Sequence, residues 1–272
     1  MALVLCFCIL LGGCNRQASS SAPLSVIFLD VGQGDCALIR TAEGDILIDA
    51  GPELSQPTLC LRLEELGVKR IRLAIFTHAD EDHVGGADGV IERFPTQEIW
   101  FNGDGSESDS ARRLMDKVDP SVTTLQSVGA GSSLVIGELV LSVLYPFAAD
   151  GVSENESSIV TKVHFREIDL LFTGDVGAKE EAALVSRYGA TQLDCDLYKV
   201  GHHGSNTSSS EVFLDAMKPQ FAVICCGADN SYGHPMGEVL ARLEAAGATV
   251  VRTDRSGELI FESDGVTLTC RE

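Results

Sequence analysis

Residues 78–83 read His-Ala-Asp-Glu-Asp-His and are followed by glycines at positions 85 and 86. The preceding residues 71–76 are apolar and typical of a buried strand, and residues 84–94 have the composition of a helix. We therefore expect residues 78–83 to form a turn at the end of a strand, a common place for active sites in α/β folds. Crowded carboxylates repel one another unless a cation neutralises them, so the stretch predicts a divalent-metal site. The alternative is a solvated acidic loop with two incidental histidines.

Length and charge restrict the function. The chain has 272 residues, of which 44% are hydrophobic, which is enough for one large domain with a sizeable core. It carries 20 Lys and Arg against 40 Asp and Glu, giving a net charge of −20. This charge disfavours electrostatic binding of nucleic acid over a broad surface, because such binding normally needs clustered basic residues. It does not exclude a substrate with a single phosphate group, because bound metals supply local positive charge.

The N-terminal residues differ from the rest. Residues 1–11 are almost wholly apolar and lead into Gly12-Gly13-Cys14, too short a run to span a bilayer. Residues 1–14 therefore predict an export leader, although no Lys or Arg precedes the apolar run. The end of the leader resembles a bacterial lipobox, in which Cys14 would be lipidated, and residues 15–23 would tether the domain. We expect export with a lipid anchor at the outer face of a bacterial membrane. The alternative is a cytoplasmic protein whose leader results from the choice of start site.

From residue 24 onward the pattern predicts one domain. Strand-like and helix-like stretches follow one another without a polar or Gly/Pro-rich linker. Residues 122–144 are β-like, with glycines at positions 129, 131 and 137 marking turns, and residues 259–269 are β-like as well. Helices are predicted between the other strands. The simplest packing of this order is two sheets with helices on their outer faces.

Five of the six histidines follow predicted strand ends. These are His78, His83, His202, His203 and His234. The aspartates Asp30, Asp49 and Asp175 also follow strands, whereas His164 lies inside a strand pattern and is interpreted as structural. Strand ends at one edge of a sheet can meet in one pocket, so we expect these side chains to form a single site.

Spacing within residues 78–83 suits two metals. His78 and Asp80 are two positions apart and point the same way in an extended segment, whereas Asp82 and His83 can face a second direction. Two divalent cations about 3.5–4 Å apart are a known arrangement for hydrolysis. Asp175, next to the small Gly174, is the natural bridging carboxylate. The alternative is that Asp175 only caps the helix that follows it.

The pattern His78-x-Asp80-x-Asp82-His83 with Gly85-Gly86 resembles the metal motif of the metallo-β-lactamase fold superfamily, which more usually has histidine at the position of Asp80. Residues 24 to about 261 look more closely like the hydrolase domain of ComEC-type DNA-uptake competence proteins. The motifs that carry this second resemblance are Asp30-Val-Gly-Gln-Gly-Asp35, Leu47-Ile-Asp-Ala-Gly51, Phe172-Thr-Gly-Asp175, Lys199-Val-Gly-His-His-Gly-Ser205, Asn230-Ser-Tyr-Gly-His-Pro235 and Arg252-Thr-Asp254.

The resemblance implies a four-layer αββα sandwich, with two mixed sheets and outer helices, for a hydrolase domain over residues 24–272. It also implies two divalent metal ions, zinc or manganese. One ion would be held by His78 and Asp80. The other would be held by Asp82, His83 and one histidine of the pair His202 and His203, with Asp175 bridging the two ions.

The same resemblance implies supporting roles. Asp35 and Asp49 would orient the ligands. His234 would face the substrate, and we expect Asp82, His202 and His234 to act directly in catalysis. Residues 154–158 contain no histidine where the superfamily usually supplies one. The metal at His78 would therefore be short of protein ligands unless Asn155 or water completes it.

The expected reaction is attack by a metal-bound hydroxide on a phosphodiester, with single-stranded DNA as one plausible substrate. Two alternatives stay open. The first is a hydrolase of small molecules, such as a phosphocholine ester, a lactone or a β-lactam. The second is a metal-binding surface module with little catalysis. The sequence implies no protein partner.

Overall fold

The computed structural model describes residues 24–103, 106–147 and 155–271. The predicted leader, the tether and Cys14 lie outside these residues. In chain order the described strands are β1 (Leu24–Phe28), β2 (Ala37–Thr41), β3 (Gly44–Ile48), β4 (Ile71–Phe76), β5 (Glu98–Phe101), β6 (Thr124–Gln126), β7 (Ser133–Ile136), β8 (Leu139–Tyr145), β9 (Val160–Phe165), β10 (Ile168–Phe172), β11 (Leu197–Lys199), β12 (Phe221–Ile224), β13 (Thr249–Arg252), β14 (Leu259–Ser263) and β15 (Leu268–Arg271). The α-helices are α1 (Gln56–Glu65), α2 (Glu81–Val84), α3 (Ala87–Arg93), α4 (Asp109–Lys117), α5 (Ala178–Leu193), α6 (Glu211–Met217), α7 (Gly237–Ala245) and α8 (Thr253–Ser256).

These strands form two mixed sheets. The first sheet has the order β15-β14-β1-β2-β3-β4-β5-β6, and the second has the order β13-β12-β11-β10-β9-β8-β7. Strands β3 to β6 run parallel to one another, as do strands β10 to β13, and the remaining pairs are antiparallel. Parallel pairing places successive carboxyl ends at the same edge of a sheet.

The side chains of β1 show how the layers are built. Leu24, Val26 and Phe28 pack between the two sheets, whereas Ile27 faces the helices that cover the first sheet. This alternation follows from the two-residue period of a strand. Helices α1, α3 and α4 cover the first sheet, and α5, α6 and α7 cover the second. The predicted αββα sandwich of two mixed sheets is confirmed.

An aromatic contact joins the two sheets beneath the strand ends that carry the candidate site residues. The rings of Phe28 in β1 and Phe172 in β10 stack with centroids 6.0 Å apart. Phe261 of β14 meets Phe28 edge-on at 5.9 Å. All three side chains are almost fully buried. The contact fixes the spacing of β1 and β10, whose carboxyl ends lead to Asp35 and Asp175.

Local structure differs from the sequence expectations in three places. Residues 84–94 do not form one helix, because Gly85 and Gly86 separate α2 from α3. Residues 78–83 are not a plain turn, since residues 81–83 belong to α2 and Asp80 is its N-cap. The β-like stretch 259–269 divides into the hairpin of β14 and β15, whereas the turns predicted at glycines 129, 131 and 137 do separate β6, β7 and β8. Glycines and turn residues inside apolar runs set these divisions, which apolar periodicity does not show.

No helix in the described part of the chain is both long and apolar enough to cross a membrane.

Candidate metal centre

The candidate site lies where strands of both sheets end. His78 follows β4 and Asp49 follows β3, both in the first sheet. Asp175 follows β10 and His203 follows β11, both in the second sheet. The two sheets therefore each supply half of the site, as expected for polar residues placed after buried strands.

Backbone hydrogen bonds fix helix α2 against the first sheet. The amide of Ala50 donates to the carbonyl of His83 at 2.8 Å, and the amide of Asp35 donates to the carbonyl of Asp82 at 3.1 Å. The approach is close enough that a Cβ on Gly34 would lie 2.3 Å from the Asp82 carbonyl oxygen. Glycine at position 34 is therefore required to bring Asp82 to this position.

The ring of His83 is oriented by a buried carboxylate. Its Nδ1 lies 2.8 Å from Oδ2 of Asp49, which is 1% exposed. Asp49 is itself held by the amide and the hydroxyl of Thr77, at 2.8 and 2.9 Å. Because Nδ1 of His83 faces Asp49, its Nε2 faces the centre of the cluster. A histidine held in this way is typical of metal sites.

The ring of His203 approaches from the second sheet. Its Nδ1 lies 3.0 Å from the carbonyl oxygen of Cys225, which can only accept a hydrogen bond, so Nδ1 carries a proton. In the neutral ring Nε2 then carries a lone pair, and it lies 3.3 Å from Nε2 of His83. Two lone pairs at this distance repel unless a proton or a cation lies between them. The donor set therefore fits a metal ion.

Asp175 lies between the histidines. Its Oδ1 is 3.3 Å from Nε2 of His83, and its Oδ2 is 3.5 Å from Nε2 of His203 and 3.7 Å from Nε2 of His202. The carboxylate is 3% exposed. The N-cap of α5 is Gly177, so Asp175 does not occupy the capping position that the alternative interpretation gave it. Its two carboxylate oxygens therefore face different imidazoles, and both are placed where they could contact a bound cation.

The chain around Asp175 is tightly packed. Its amide donates to the Ser158 hydroxyl at 3.1 Å, and a Cβ on Gly174 (φ +52°) would lie 2.9 Å from the Ser158 side chain. Asn155 lies in the short 3₁₀ helix just before Ser158. The contact between this segment and Asp175 thus runs through Ser158, and a ligand role for Asn155 stays a prediction.

A second group of donors surrounds His78. Its Nδ1 lies 3.1 Å from the Thr77 hydroxyl, and its Nε2 lies 3.5 Å from Oδ2 of Asp80. Nε2 is buried and has no hydrogen-bond partner among the described residues. Donor atoms of His78, His83 and Asp175 lie within 4.8 Å of one another. On the other side, Oδ2 of Asp82 is 3.2 Å from Nε2 of His203. Donor atoms that could hold a metal ion are therefore present around His78 as well as around His203.

A buried ion pair lies behind the histidine rings. The ammonium group of Lys199 contacts the carboxylate of Asp35, and both side chains are at most 8% exposed. Asp35 also lies 3.2 Å from Nδ1 of His203 and 3.8 Å from Nδ1 of His83. Burial alone would lower the pKa of Lys199 and raise that of Asp35. The carboxylates of Asp35 and Asp175 together nevertheless raise the pKa of Lys199, and the charges of Lys199, His203 and His83 together lower that of Asp35. Since a cation at Asp35 would face the charge of Lys199, this carboxylate supports the rings from behind.

The carboxylates dominate the electrostatics of the cluster. Burial lowers the pKa of an imidazole, but Asp175 and Asp35 outweigh it and raise the pKa of His203 to about 10. At His83 the carboxylates of Asp175 and Asp49 overcome burial in the same way, and its pKa lies well above the usual value. Burial would raise the pKa of Asp175, yet the two imidazoles hold it well below the usual range. The carboxylates thus favour positive charge on the imidazoles, and that charge in turn favours the ionised form of Asp175.

His202 and His234 lie at the mouth of the cluster. Their ring centroids are 5.7 Å apart, and Nδ1 of His202 lies 3.3 Å from the Thr207 hydroxyl. Burial lowers the pKa of both imidazoles, assisted at His234 by the neighbouring His202. Both rings are therefore neutral at pH 7 and can donate or accept a hydrogen bond. His164 lies elsewhere, on a half-exposed position of β9, with its Nδ1 2.8 Å from Asp169.

Sequence reasoning brought the five strand-end histidines together correctly, but it missed the groups that hold them. Thr77, Ser158, Lys199 and the Cys225 carbonyl were not predicted. Lys199 had a detectable signal, because a lysine in an apolar strand needs a buried partner. The carbonyl of Cys225 had none, since every residue carries the same group.

Fold and site together define an αββα metal-dependent hydrolase fold whose histidines and aspartates can hold metal ions. The chain belongs to the metallo-β-lactamase superfamily, whose family model matches residues 29–228.

Within this superfamily, the chain is similar in sequence to several competence and recombination proteins. Over 87% of its length the chain is 34% identical to Competence protein ComA of Neisseria gonorrhoeae and 29% identical to ComE operon protein 3 of Bacillus subtilis. Over 94% of its length it is 29% identical to Recombination protein 2 of Haemophilus influenzae. The predicted resemblance to ComEC-type competence proteins is confirmed. The chain spans only 30–32% of the length of these relatives.

Solved structures show the same fold at low sequence identity. The metallo-beta-lactamase fold protein YhfI of Bacillus subtilis matches with a TM-score of 0.59 at 9% identity, covering 89% of this chain and all of YhfI. Zn(2+)-bound PqqB of Methylobacterium extorquens matches with a TM-score of 0.55 at 14% identity, over 84% of this chain and 97% of PqqB. At these identities the likeness concerns the fold alone.

Proposed function

We propose that the chain is a metal-dependent phosphodiesterase with a dinuclear centre, and that DNA in single-stranded form is among its substrates. The observation that carries the proposal is the position of Asp175, which lies 3.3 and 3.5 Å from Nε2 of His83 and His203 and has a donor atom within 4.8 Å of one on His78. A carboxylate that reaches both groups of donors could bridge two cations in two-metal hydrolysis.

The distribution of ligands that we propose follows the family resemblance. His78 and Asp80 would hold the first ion, and the buried Nε2 of His78, unpartnered among the described residues, supports this role. Asp82, His83 and His203 would hold the second ion, and Asp175 would bridge the two. Of the adjacent histidines, His203 is the better ligand because it is 1% exposed and lies 3.2 Å from Asp82. His202 then remains for contact with the substrate.

Two divalent cations, zinc or manganese, would supply Lewis acidity and a water molecule of lowered pKa. The chain's own residues bind and orient them. Asp49 fixes the ring of His83, and Asp35 with Lys199 supports His203 from behind. His202 and His234, neutral and partly exposed, can donate hydrogen bonds to phosphate oxygens or to the leaving group. Asp82 acts in the reaction by fixing the second ion.

A nucleic-acid substrate is supported by resemblance and limited by charge. The similarity to competence proteins supports a role in handling DNA, but the chain spans only 32% of the length of these relatives. The net charge of −20 disfavours binding to a long duplex. A single strand entering the site with one phosphate at the metals needs less basic surface.

The proposal is tested with protein loaded with zinc or manganese, incubated with bis(p-nitrophenyl) phosphate and with single-stranded DNA. We expect hydrolysis of both, with about two metals per chain by elemental analysis. His83→Ala should lower kcat at least about a hundredfold, because a ligand and its bond to Asp49 are lost. His164→Ala is the matched control and should keep the wild-type rate.

Other outcomes separate the alternatives. Cleavage of the generic diester without DNA cleavage would indicate a small-molecule diesterase. Two bound metals without turnover of either substrate would favour a lactone, β-lactam or other ester. Less than one metal per chain and no turnover would support a metal-binding module, and full activity of His83→Ala would overturn the site assignment.

We also propose that residues 1–14 direct export and that Cys14 carries a lipid anchor. The lipobox-like residues Gly12-Gly13-Cys14 support this proposal. Wild-type protein expressed in a bacterium should incorporate labelled palmitate and fractionate with membranes. Cys14→Ser should lose the label, whereas Cys270→Ser should retain it. Labelling that persists in Cys14→Ser would exclude the anchor.

A further inference from the structure

A groove of about 630 Å³ opens beside the candidate metal centre. Asp80 and Asp82 form its inner wall. The loop between β1 and β2 and the loop between β3 and α1 form its sides, with Gln33 and the 92% exposed Leu54 on its surface. Tyr232 completes the lining. A substrate bound at the metals would therefore extend into a space with both polar and apolar walls.

Tyr232 is the outermost of three nearly parallel rings. Its ring stacks on His234 with centroids 5.7 Å apart and planes at 21°. His234 in turn stacks on His203 at 6.4 Å and 26°. Tyr232 is nonetheless 63% exposed. One face of this ring covers His234, so the exposed area leaves the other face available to a planar ligand.

The loop that carries Tyr232 is held in place from within. The side-chain amide of Asn230 donates to the carbonyls of Gly227 and His234 at 2.8 and 2.7 Å, and its oxygen accepts from the amide of His234 at 3.0 Å. A ring presented on a fixed loop loses little conformational entropy when a ligand stacks on it.

Gln33, which lines the same groove, holds the loop of Tyr232 to the loop between β1 and β2. Its Oε1 accepts a hydrogen bond from the amide of Gly227 at 3.2 Å. The wall of the groove next to Tyr232 is therefore fixed by contacts within the protein.

The charge of the groove limits how a polyanion can bind. Among the described residues that line it, none is Lys or Arg, and Asp80, Glu81 and Asp82 are acidic. Phosphates away from the metals would find no cation here. Binding in the groove must therefore come from stacking and apolar contact, as at single-strand sites where bases stack on aromatic side chains.

We propose that Tyr232 is a specificity residue that stacks the nucleobase next to the scissile phosphate, so that the site selects nucleotide diesters over alkyl diesters. This inference rests on the proposed phosphodiesterase function. It assigns to the groove one base of a single strand.

The test compares two substrates with the same leaving group, thymidine 5′-(p-nitrophenyl phosphate) and methyl p-nitrophenyl phosphate. Metal-loaded wild-type protein should show a lower KM for the thymidine ester. Tyr232→Ala should lower the ratio of kcat/KM for the thymidine ester to that for the methyl ester roughly five- to a hundredfold, the range expected for one stacked base. Tyr232→Phe should keep the ratio, and Val266→Ala, 60% exposed on the β14–β15 hairpin, is the distant control.

The outcomes distinguish this inference from the proposed function. Equal KM values for the two esters, or a ratio unchanged in Tyr232→Ala, would overturn the base site while leaving the phosphodiesterase intact. If neither ester is hydrolysed, calorimetry with thymidine 5′-monophosphate and methyl phosphate decides. Tighter binding of the nucleotide, lost in Tyr232→Ala, would support the base site without the activity, and equal binding would overturn it.

Discussion

Lys199 supports the candidate metal centre from behind, without contacting the histidine nitrogens that would face a bound metal. It ends β11 in full burial, and its ammonium group contacts Asp35, which lies against the back of His203. Charged groups are rarely buried unless they are paired, because removing them from water is costly. Replacing either Lys199 or Asp35 alone would remove the main charge partner of the other buried group.

We expect Lys199→Met to destabilise the metal-free protein by about 3–5 kcal/mol, because the Asp35 carboxylate would remain buried without its cation. Adding Asp35→Asn should recover about 1–3 kcal/mol, since the uncompensated charge is then removed. Urea denaturation of the wild type, both single variants and the double variant measures the coupling. A double variant no more stable than Lys199→Met would contradict the ion pair.

His202 and His203 carry unusual backbone conformations. Their φ angles are 48° and 52°, in the left-handed region that residues other than glycine rarely adopt. Two such residues in succession are retained against a local energetic cost, and strain of this kind concentrates at functional sites.

At position 202 we expect the glycine variant to be more stable than the alanine variant by about 1 kcal/mol, because glycine adopts positive φ without steric cost. Both variants remove the imidazole, so the difference isolates the backbone. Thermal or urea denaturation of the metal-free variants measures it. An alanine variant of equal or greater stability would show that the backbone at this position is unstrained.

At the scale of secondary-structure elements, the contact of Phe28 with Phe172 sets the distance between the sheets beneath the site. Phe172 immediately precedes Thr173-Gly174-Asp175, so its packing helps to set the position of the Asp175 carboxylate. The site is thus only as well ordered as the interface between β1 and β10.

Phe172→Ala should cost about 3–5 kcal/mol of unfolding free energy, the usual loss for a large buried side chain. Val135→Ala on β7, where the side chain is 63% exposed, is the control and should change stability by less than about 0.5 kcal/mol. Urea denaturation measures both. A loss below about 1 kcal/mol for Phe172→Ala would mean that the two sheets close over the cavity.

At the scale of the whole molecule, the site links folding to metal binding. Its ligands come from both sheets and assemble only when the sandwich has formed, so an ion binds the native state and not the unfolded chain. The clustered carboxylates also repel one another in the absence of a cation.

Metal removal should therefore lower stability as well as activity. Free zinc at a hundred times its Kd should stabilise the protein by about 2.7 kcal/mol relative to the chelated form. Thermal unfolding in the presence of zinc and of EDTA measures the change in Tm. The variant Asp175→Asn should reduce this stabilisation, and an equal shift in the variant would exclude Asp175 as a ligand.

The sequence predicted the layers and the set of strand-end histidines because both follow from local patterns. Apolar runs of strand length, separated by glycines, placed His78, His203 and Asp175 after buried strands. The sequence was wrong about residues 81–83, which are helical, because one turn of helix has no detectable periodicity. It also left open which histidine of the pair 202–203 lies inside the cluster.

By itself, then, the sequence determined the fold class, the superfamily and which side chains are available as metal ligands, since these depend on residue type and order. Tertiary structure alone decided how they meet. The direction of each imidazole depends on partners distant in sequence, such as Asp49 for His83 and the Cys225 carbonyl for His203. The base-stacking proposal likewise depends on the stacked rings of Tyr232, His234 and His203, which lie on two loops of the second sheet. Such contacts are set by how the two sheets pack, which no local pattern encodes.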